Sequence, residues 1–152
     1  MSTSNFLDAN VWLALIWDRH AHAELARAWF DEQALEGTAF DAPAEWRVLY
    51  CRFTQLTVLR LLTTAAVMGN DVQSMRGAWA IWDKIASDDR VGLLAEPDDL
   101  EPWLRKHSRL ASASPKVWAD AYLLAFAQSA GLTLVTFDHA LGNRAPDGVV
   151  IR

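Results

Sequence analysis

Apolar positions along the chain fall into short blocks separated by polar breaks, and their spacing changes from block to block. Ser4 to Asp8 reads as a brief strand in which Phe6 and Leu7 run straight into a carboxylate. Val11 to Trp17 is apolar throughout and reads as one or two buried helical turns. A polar break over 18–23 precedes a helical pattern that starts at His22. There Leu25, Ala28 and Trp29 share one face, Glu32 interrupts the stripe, and Gly37 stands in the usual stop position. Val48 to Phe53 is rich in β-branched and aromatic residues and predicts a second strand. Thr54 follows as the cap of a largely buried helix carrying Leu56, Val58, Leu59 and Leu62.

Beyond the break at Gly69-Asn70-Asp71, Met75, Ala78, Trp79, Trp82, Ile85 and Ala86 recur at helical spacing and give the clearest helix. Val91 to Leu94 reads as a third strand. Asp98 with Glu101 resembles a capping arrangement for a short helix through His107, with Pro102 in its first turn. Ser108 to Pro115 is a Ser-rich loop, and Lys116 to Ala130 predicts an amphipathic helix stopped by Gly131. Leu132 to Thr136 is a strand, Phe137-Asp138 a turn, and Val149 to Ile151 a last strand. Strands alternating with helices at these spacings predict a three-layer α/β/α fold. Its sheet is mostly parallel, it is covered on both faces, and it forms a single domain over 1–152.

Composition narrows the class. A chain of 152 residues buries roughly 68–70% of its unfolded surface, enough for a core without staples. Hydrophobic residues at 52% with charged residues at 22% exclude intrinsic disorder. No apolar run approaches the roughly 18 residues that a membrane span needs. The N-terminus lacks the basic start of a signal peptide. The lone cysteine, Cys51, excludes an internal disulfide framework and a cysteine-based zinc site. These features predict a soluble cytoplasmic protein. The net charge of -5 argues against a generally basic nucleic-acid binder. It leaves room for an enzyme that engages phosphate through a divalent metal held on clustered carboxylates.

In open α/β sheets the ligand site lies outside the carboxyl ends of the strands. Asp8 and Asp138 stand at two such ends, and Asp120 lies in the first turn of the helix beginning near Lys116. Two readings of Asp120 stand side by side. It favours the helix N-terminus electrostatically, or it is an embedded carboxylate that needs a partner or a metal.

Read together, these segments resemble a known family. Phe6-Leu7-Asp8-Ala9-Asn10 resembles the opening motif of PIN domains. Trp118-Ala119-Asp120-Ala121-Tyr122, followed by Ala125-Phe126-Ala127, is similar to their central helix. Leu134-Val135-Thr136-Phe137-Asp138 resembles their closing motif. Arg52-Phe53-Thr54-Gln55 with Leu59-Arg60-Leu61-Leu62, and His20-Ala21-His22 before the second helix, are similar to segments of PIN-domain toxins of the VapC family. The resemblance implies a magnesium- or manganese-dependent endoribonuclease, the toxin of a type II toxin–antitoxin pair. It implies Asp8, Asp120 and Asp138 as metal-binding catalytic acids, with Asn10, Thr54 and Thr136 as supporting polar residues. An RNA substrate and a VapB-like antitoxin are the partners it implies. A homodimer through exposed apolar residues of the helical layer is expected as well. One departure concerns a fourth acid, where Gln55 stands in this chain. Glu45 or Asp41 would have to compensate, and Gln55→Glu is expected to tighten magnesium or manganese binding.

Other candidates read more plainly. His20 and His22, two apart, do not share a helix face and read as a solvated helix entrance. His139 reads as a surface histidine. Trp79 and Trp82 lie in register with Met75 and Ile85, as core or an oligomer interface rather than base-stacking platforms. Cys51 reads as packing, and Glu96, Asp98, Asp99 and Glu101 as a solvated helix start. Arg52 and Arg60 either contact RNA phosphates or pair with local acids. No phosphate-cradling loop and no Gly-x-Ser-x-Gly elbow occurs. Besides the ribonuclease, two readings remain: a non-catalytic PIN-like binding module crippled by Gln55, and a small metal-dependent phosphatase. The second lacks an aspartate where Asn10 stands.

Overall fold

The computed structural model describes residues 4–36 and 47–152, without the side chains of 34–36. Gly37, Asp41 and Glu45, named above as a helix stop and substitute acids, lie outside the described residues. Five strands, β1 (Asn5–Leu7), β2 (Val48–Tyr50), β3 (Val91–Leu93), β4 (Thr133–Thr136) and β5 (Val149–Val150), form one sheet in the order β3-β2-β1-β4-β5. Every pairing is parallel, with Phe6 opposite both Leu49 and Leu134. The expected α/β/α layering is what the chain adopts.

Strand side chains alternate between faces, so each strand feeds two cores. Leu7, Val48, Tyr50, Val91 and Val135 enter the core shared with α1 (Ala9–Ile16), α2 (Ala23–Glu36), α3 (Arg52–Leu62), α4 (Ala65–Met68) and α5 (Met75–Ala86). Phe6, Leu49 and Leu134 enter the opposite core, against α6 (Leu100–His107), α7 (Val117–Ala130) and α8 (His139–Arg144). In the first core Trp12, Tyr50 and Trp82 form an aromatic triangle with ring centroids 4.8–5.9 Å apart. In the second, Phe6 stacks on Phe126 at 4.7 Å. No helix of the described residues is long and apolar enough to cross a membrane.

Several elements depart from the sequence pattern. The second strand stops at Tyr50. Cys51, with extended backbone, is the N-cap of α3, and Thr54 lies inside the helix rather than capping it. Aromatic and β-branched enrichment reports a half-buried surface more than strand backbone, and here it ran on into the helix. In α2 the buried stripe is Ala23, Ala26 and Phe30, whereas Leu25 and Ala28 are exposed and Trp29 is half-buried. Small alanines let α2 approach α1 closely, so the larger Leu25 is turned outward. Leu56 of α3 and Met75 and Trp79 of α5 are likewise exposed, leaving Val58, Leu62, Ala78 and Trp82 as the buried positions. Helix α7 is buried around most of its circumference, not amphipathic. It ends at Gly131 in the left-handed conformation that glycine adopts without strain.

Helix α8 has no counterpart in the apolar pattern, being short and mostly exposed. It is held against β5 at Gly142, where a Cβ would meet Val150 Cγ2 at 2.3 Å. That close approach places the N-terminus of α8 at the end of β4.

Candidate active site

Parallel register sets the geometry. With β1 and β4 adjacent, the chain leaves both strands on the same edge of the sheet. Asp8 follows β1 directly, and its N–H donates to Val135 O at 3.0 Å. Asp8 is the N-cap of α1, but its side chain does not cap the helix. Its Oδ2 instead accepts from the hydroxyl of Thr136 at 3.0 Å. The same hydroxyl oxygen accepts the N–H of Asp138 at 3.0 Å. Thr136 is fully buried, so one rigid hydroxyl, 128 residues from Asp8 in sequence, links the two aspartates. A threonine is suited to this because a hydroxyl donates once and accepts as well.

Asp138 caps α8, with Oδ1 accepting from Ala140 N at 2.9 Å and Leu141 N at 3.2 Å. Those bonds fix the carboxylate plane and leave Oδ2 outward. Asp120, in the first turn of α7, faces the same space. Burial pushes the Asp8 carboxyl above its ordinary range. The hydroxyl of Thr136 and the N–H of Ala9 pull it back, and the charges of Asp120 and Asp138 push it up again. Asp120 is raised chiefly by burial and then by Asp138, and the guanidinium of Arg144 opposes the shift. The three carboxylates therefore act on one another.

They do not form a closed cage. Among the described residues, no group of three His, Cys, Asp or Glu side chains is already arranged to enclose a metal ion. The donor set is nevertheless all carboxylate oxygen, the chemistry that hard divalent cations prefer. Magnesium keeps several of its waters and is commonly held through one or two carboxylates. An open arrangement of mutually repelling acids fits such an ion.

Asn10 is exposed in the first turn of α1, and its Oδ1 meets His20 Nε2 at 2.9 Å. His20 Nδ1 accepts the backbone N–H of His22 at 3.0 Å, which assigns the neutral ring's proton to Nε2 as donor to Asn10. Burial, then the neighbouring His22, pushes the His20 pKa down, in keeping with a neutral ring. Both imidazoles lie against Phe137, at 6.1 and 4.7 Å between centroids. His20 is thus a built support of Asn10 rather than part of a solvated helix entrance.

Thr54 and Gln55 are buried at the start of α3. Thr54 Oγ1 lies 3.4 Å from Cys51 Sγ, and Gln55 Oε1 accepts from Arg52 Nη1. The amide oxygen is therefore occupied by a cation of the chain itself. A glutamate at 55 would pair with Arg52 rather than stand bare, which weakens the expectation that it tightens metal binding. Arg60 lies in an apolar groove with Leu56, Met75 and Trp79. Neither Arg52 nor Arg60 acts on Asp8 or Asp120. The cation that does act on Asp120 is Arg144, which the sequence reading passed over. Asp138 followed by His139-Ala140-Leu141 is a helix-cap signature that points to α8 and its basic last turn. The acidic run over 96–101 is exposed at Glu96, Asp98, Asp99 and Glu101, as read from the sequence, and Glu96 in addition accepts the hydroxyl of Tyr122 at 2.7 Å.

Residues 6–145 match the family model described as PIN domain. Ribonuclease VapC41 of Mycobacterium tuberculosis is 42% identical over 137 residues, covering 88% of each chain. Among solved structures, VapC20 of Mycobacterium tuberculosis, a Sarcin-Ricin loop cleaving toxin, superposes with a TM-score of 0.60. It shares 18% identity over 95% of this chain and 98% of that one. VapBC2 from Rickettsia felis, bound to a DNA fragment from their promoter, gives a TM-score of 0.58. The identity is 10%, over 96% of each chain.

Proposed function

The chain belongs to the PIN-domain family, and from that premise we propose that it is a divalent-metal-dependent endoribonuclease, the toxin of a type II toxin–antitoxin pair. The family assignment rests on the match over 6–145 and on 42% identity to a ribonuclease. The observation that carries the site is the mutual action of Asp8, Asp120 and Asp138. Asp8 and Asp120 are held above the ordinary carboxylate range by burial and by neighbouring acids, Asp138 in both cases and Asp120 also for Asp8. Clustered like charges at partly buried positions are costly, and a cation removes that cost.

In this reading Asp8, Asp120 and Asp138 hold magnesium or manganese. When bound, the metal supplies a water nucleophile near neutral pH and Lewis-acid stabilisation of the phosphoryl oxygens. The protein's own residues set the stage. Thr136 aims Asp8 and fixes the backbone of Asp138, the α8 amides hold Asp138 in plane, and His20 orients Asn10 toward the same edge. Arg144 limits the repulsion on Asp120 and offers a guanidinium for phosphate. The working unit is a single PIN-like domain over 1–152 in the cytoplasm, and its activity is restrained by a VapB-like antitoxin. A basic side chain from that partner, set among the carboxylates, would block them by charge-assisted hydrogen bonds.

The test is incubation of the purified protein with RNA in magnesium or manganese. Cleavage is expected that stops on chelation and returns when metal is restored. Binding of RNA with no cleavage in either metal would favour the non-catalytic module instead. Thr136→Val keeps shape but removes the shared hydroxyl. Loss of such a supporting bond typically costs about 10–100-fold in metal affinity or activity, and a loss of that size is expected here. Full activity in Thr136→Val would remove the hydroxyl from the account.

The proposed homodimer is supported by the exposed apolar face between α3 and α5. Leu56, Met75 and Trp79 are 58%, 74% and 46% exposed there, beside a groove of about 330 Å³. Trp79→Glu places a charge on that face and is expected to yield monomer in sedimentation equilibrium, with the fold intact by circular dichroism. A wild type that is monomeric across the micromolar range would contradict the dimer.

A further inference from the structure

The loop over 108–115 and the start of α7 carry features that the acid cluster does not use. Trp118 is 62% exposed, although an indole of that size is ordinarily well covered. It borders a depression of about 350 Å³ together with Leu110, itself 55% exposed, and the hydroxyl-bearing residues Ser108, Ser112 and Ser114. Charge is distributed to match. In a chain of net charge -5, residues 102–119 contain Arg105, Lys106, Arg109 and Lys116 and not one carboxylate. Arg105 is paired with Glu101, and Lys106 lies over the Trp103 ring. Arg109 and Lys116 are exposed and have no ion-pair partner among the described residues.

Arg144 connects the rim of the depression to the acid cluster. That guanidinium acts on Asp120 and donates to His107 O at 3.0 Å, next to the rim residue Ser108. Trp118 and Asp120 are two apart on α7, so their side chains diverge across a helix about 10 Å wide. A strand that lies over the carboxylates and continues across α7 would bring a different nucleotide, not the one being cut, to the indole. An exposed indole with apolar and hydroxyl walls and unpaired cations suits a nucleobase stacked on an aromatic ring while its phosphates meet Arg109 and Lys116. A wholly apolar partner would leave the cations unused, and a folded duplex would offer no free base.

We propose that Trp118, Leu110 and the 108–115 loop form a base-binding subsite for one unpaired nucleotide of an RNA strand, other than the nucleotide cleaved. This rests on the ribonuclease reading above. The test uses the full chain carrying Asp8→Asn, so that RNA stays intact, and a short unstructured fluorescein-labelled RNA followed by anisotropy. Base–aromatic stacking of about 1–3 kcal/mol per base converts to roughly 5- to 150-fold in affinity. Adding Trp118→Ala is expected to weaken binding within that range, and adding Trp118→Phe to restore most of it. Substituting nucleotides one at a time by abasic residues should find one position that weakens binding equally and has no further effect in Trp118→Ala. Arg109→Ala and Lys116→Ala are each expected to reduce the salt dependence by about one phosphate contact.

The two readings fail separately. If the wild type cuts RNA but Trp118→Ala neither binds nor cuts less well, the subsite is overturned and the ribonuclease stands. If Trp118→Ala weakens RNA binding but the wild type cuts nothing, the subsite stands on a non-catalytic protein. If Trp118→Ala changes only the oligomeric mass, the surface is a protein interface and the proposal is wrong.

Discussion

Asp8→Asn and Asp120→Asn are each expected to abolish RNA cleavage while leaving the fold standing. Losing the bond that orients a metal ligand costs about 10–100-fold, so loss of a ligand itself should exceed that. Asparagine at 8 keeps an oxygen for the Thr136 hydroxyl, and the local hydrogen bonding survives the change. Without metal, stability should hold or rise, because a neutral amide escapes both desolvation of charge and repulsion from its neighbours. The sign follows from linkage. Asp8 and Asp120 have folded pKa values raised above the ordinary 3.8. Their contribution to stability is fully present below the unfolded value and is lost as pH rises through the raised one. The metal-free wild type should thus lose stability as pH climbs from about 4, and Asp8→Asn should lose less. Denaturant unfolding across pH and an RNA cleavage assay measure the two halves. Undiminished cleavage in either variant, or a metal-free Asp8→Asn less stable than wild type at neutral pH, would contradict the assignment.

Trp82→Ala is expected to be the costliest core change, at about 3–5 kcal/mol. That is a large share of the roughly 5–15 kcal/mol that holds a domain folded. Trp82 is 1% exposed and closes the triangle with Trp12 and Tyr50 beneath α1 and β2. Neither Trp82 Nε1 nor Trp12 Nε1 makes a hydrogen bond. The loss is therefore one of packing and burial, not of a broken polar network. Leu25, 39% exposed on α2, provides the control, since Leu25→Ala should cost under about 1 kcal/mol. Equal midpoints in urea for Trp82→Ala and wild type would show that the triangle is not the support it looks to be.

Much of this architecture was legible in the chain, because strand–helix alternation and apolar runs into Asp8 and Asp138 are local signals. What misled was the choice of face. Leu25 and Leu56 look like core by hydrophobicity, yet the buried stripes run through Ala26 and Val58, where a small side chain permits close approach. Such a choice depends on the neighbouring element and is not written in one helix. Helix α8 was missed because its apolar content is slight and its position rests on Gly142 meeting β5, a contact remote from its own sequence. The bridge from Thr136 to both Asp8 and Asp138 spans most of the chain, so no local pattern discloses it. Arg144 and the His20–Asn10 bond were hidden for the same reason. By contrast, Asp8, Asp120 and Asp138 are legible in the sequence because each stands at a strand end or helix start, and Thr136 through the resemblance of the motif that holds it.

The central claim is that three carboxylates act as one metal site. Calorimetric titration of the metal-free protein with manganese, for wild type and Asp8→Asn side by side in two buffers of different ionisation enthalpy, tests it most directly. Binding to the wild type should release protons, because carboxyls raised by burial and repulsion must ionise fully to hold the ion. In Asp8→Asn the affinity should fall at least tenfold and the proton release should shrink. Equal affinity and equal proton release in the two proteins would show that manganese binds elsewhere, and the aspartate cluster would no longer be the site of the chemistry.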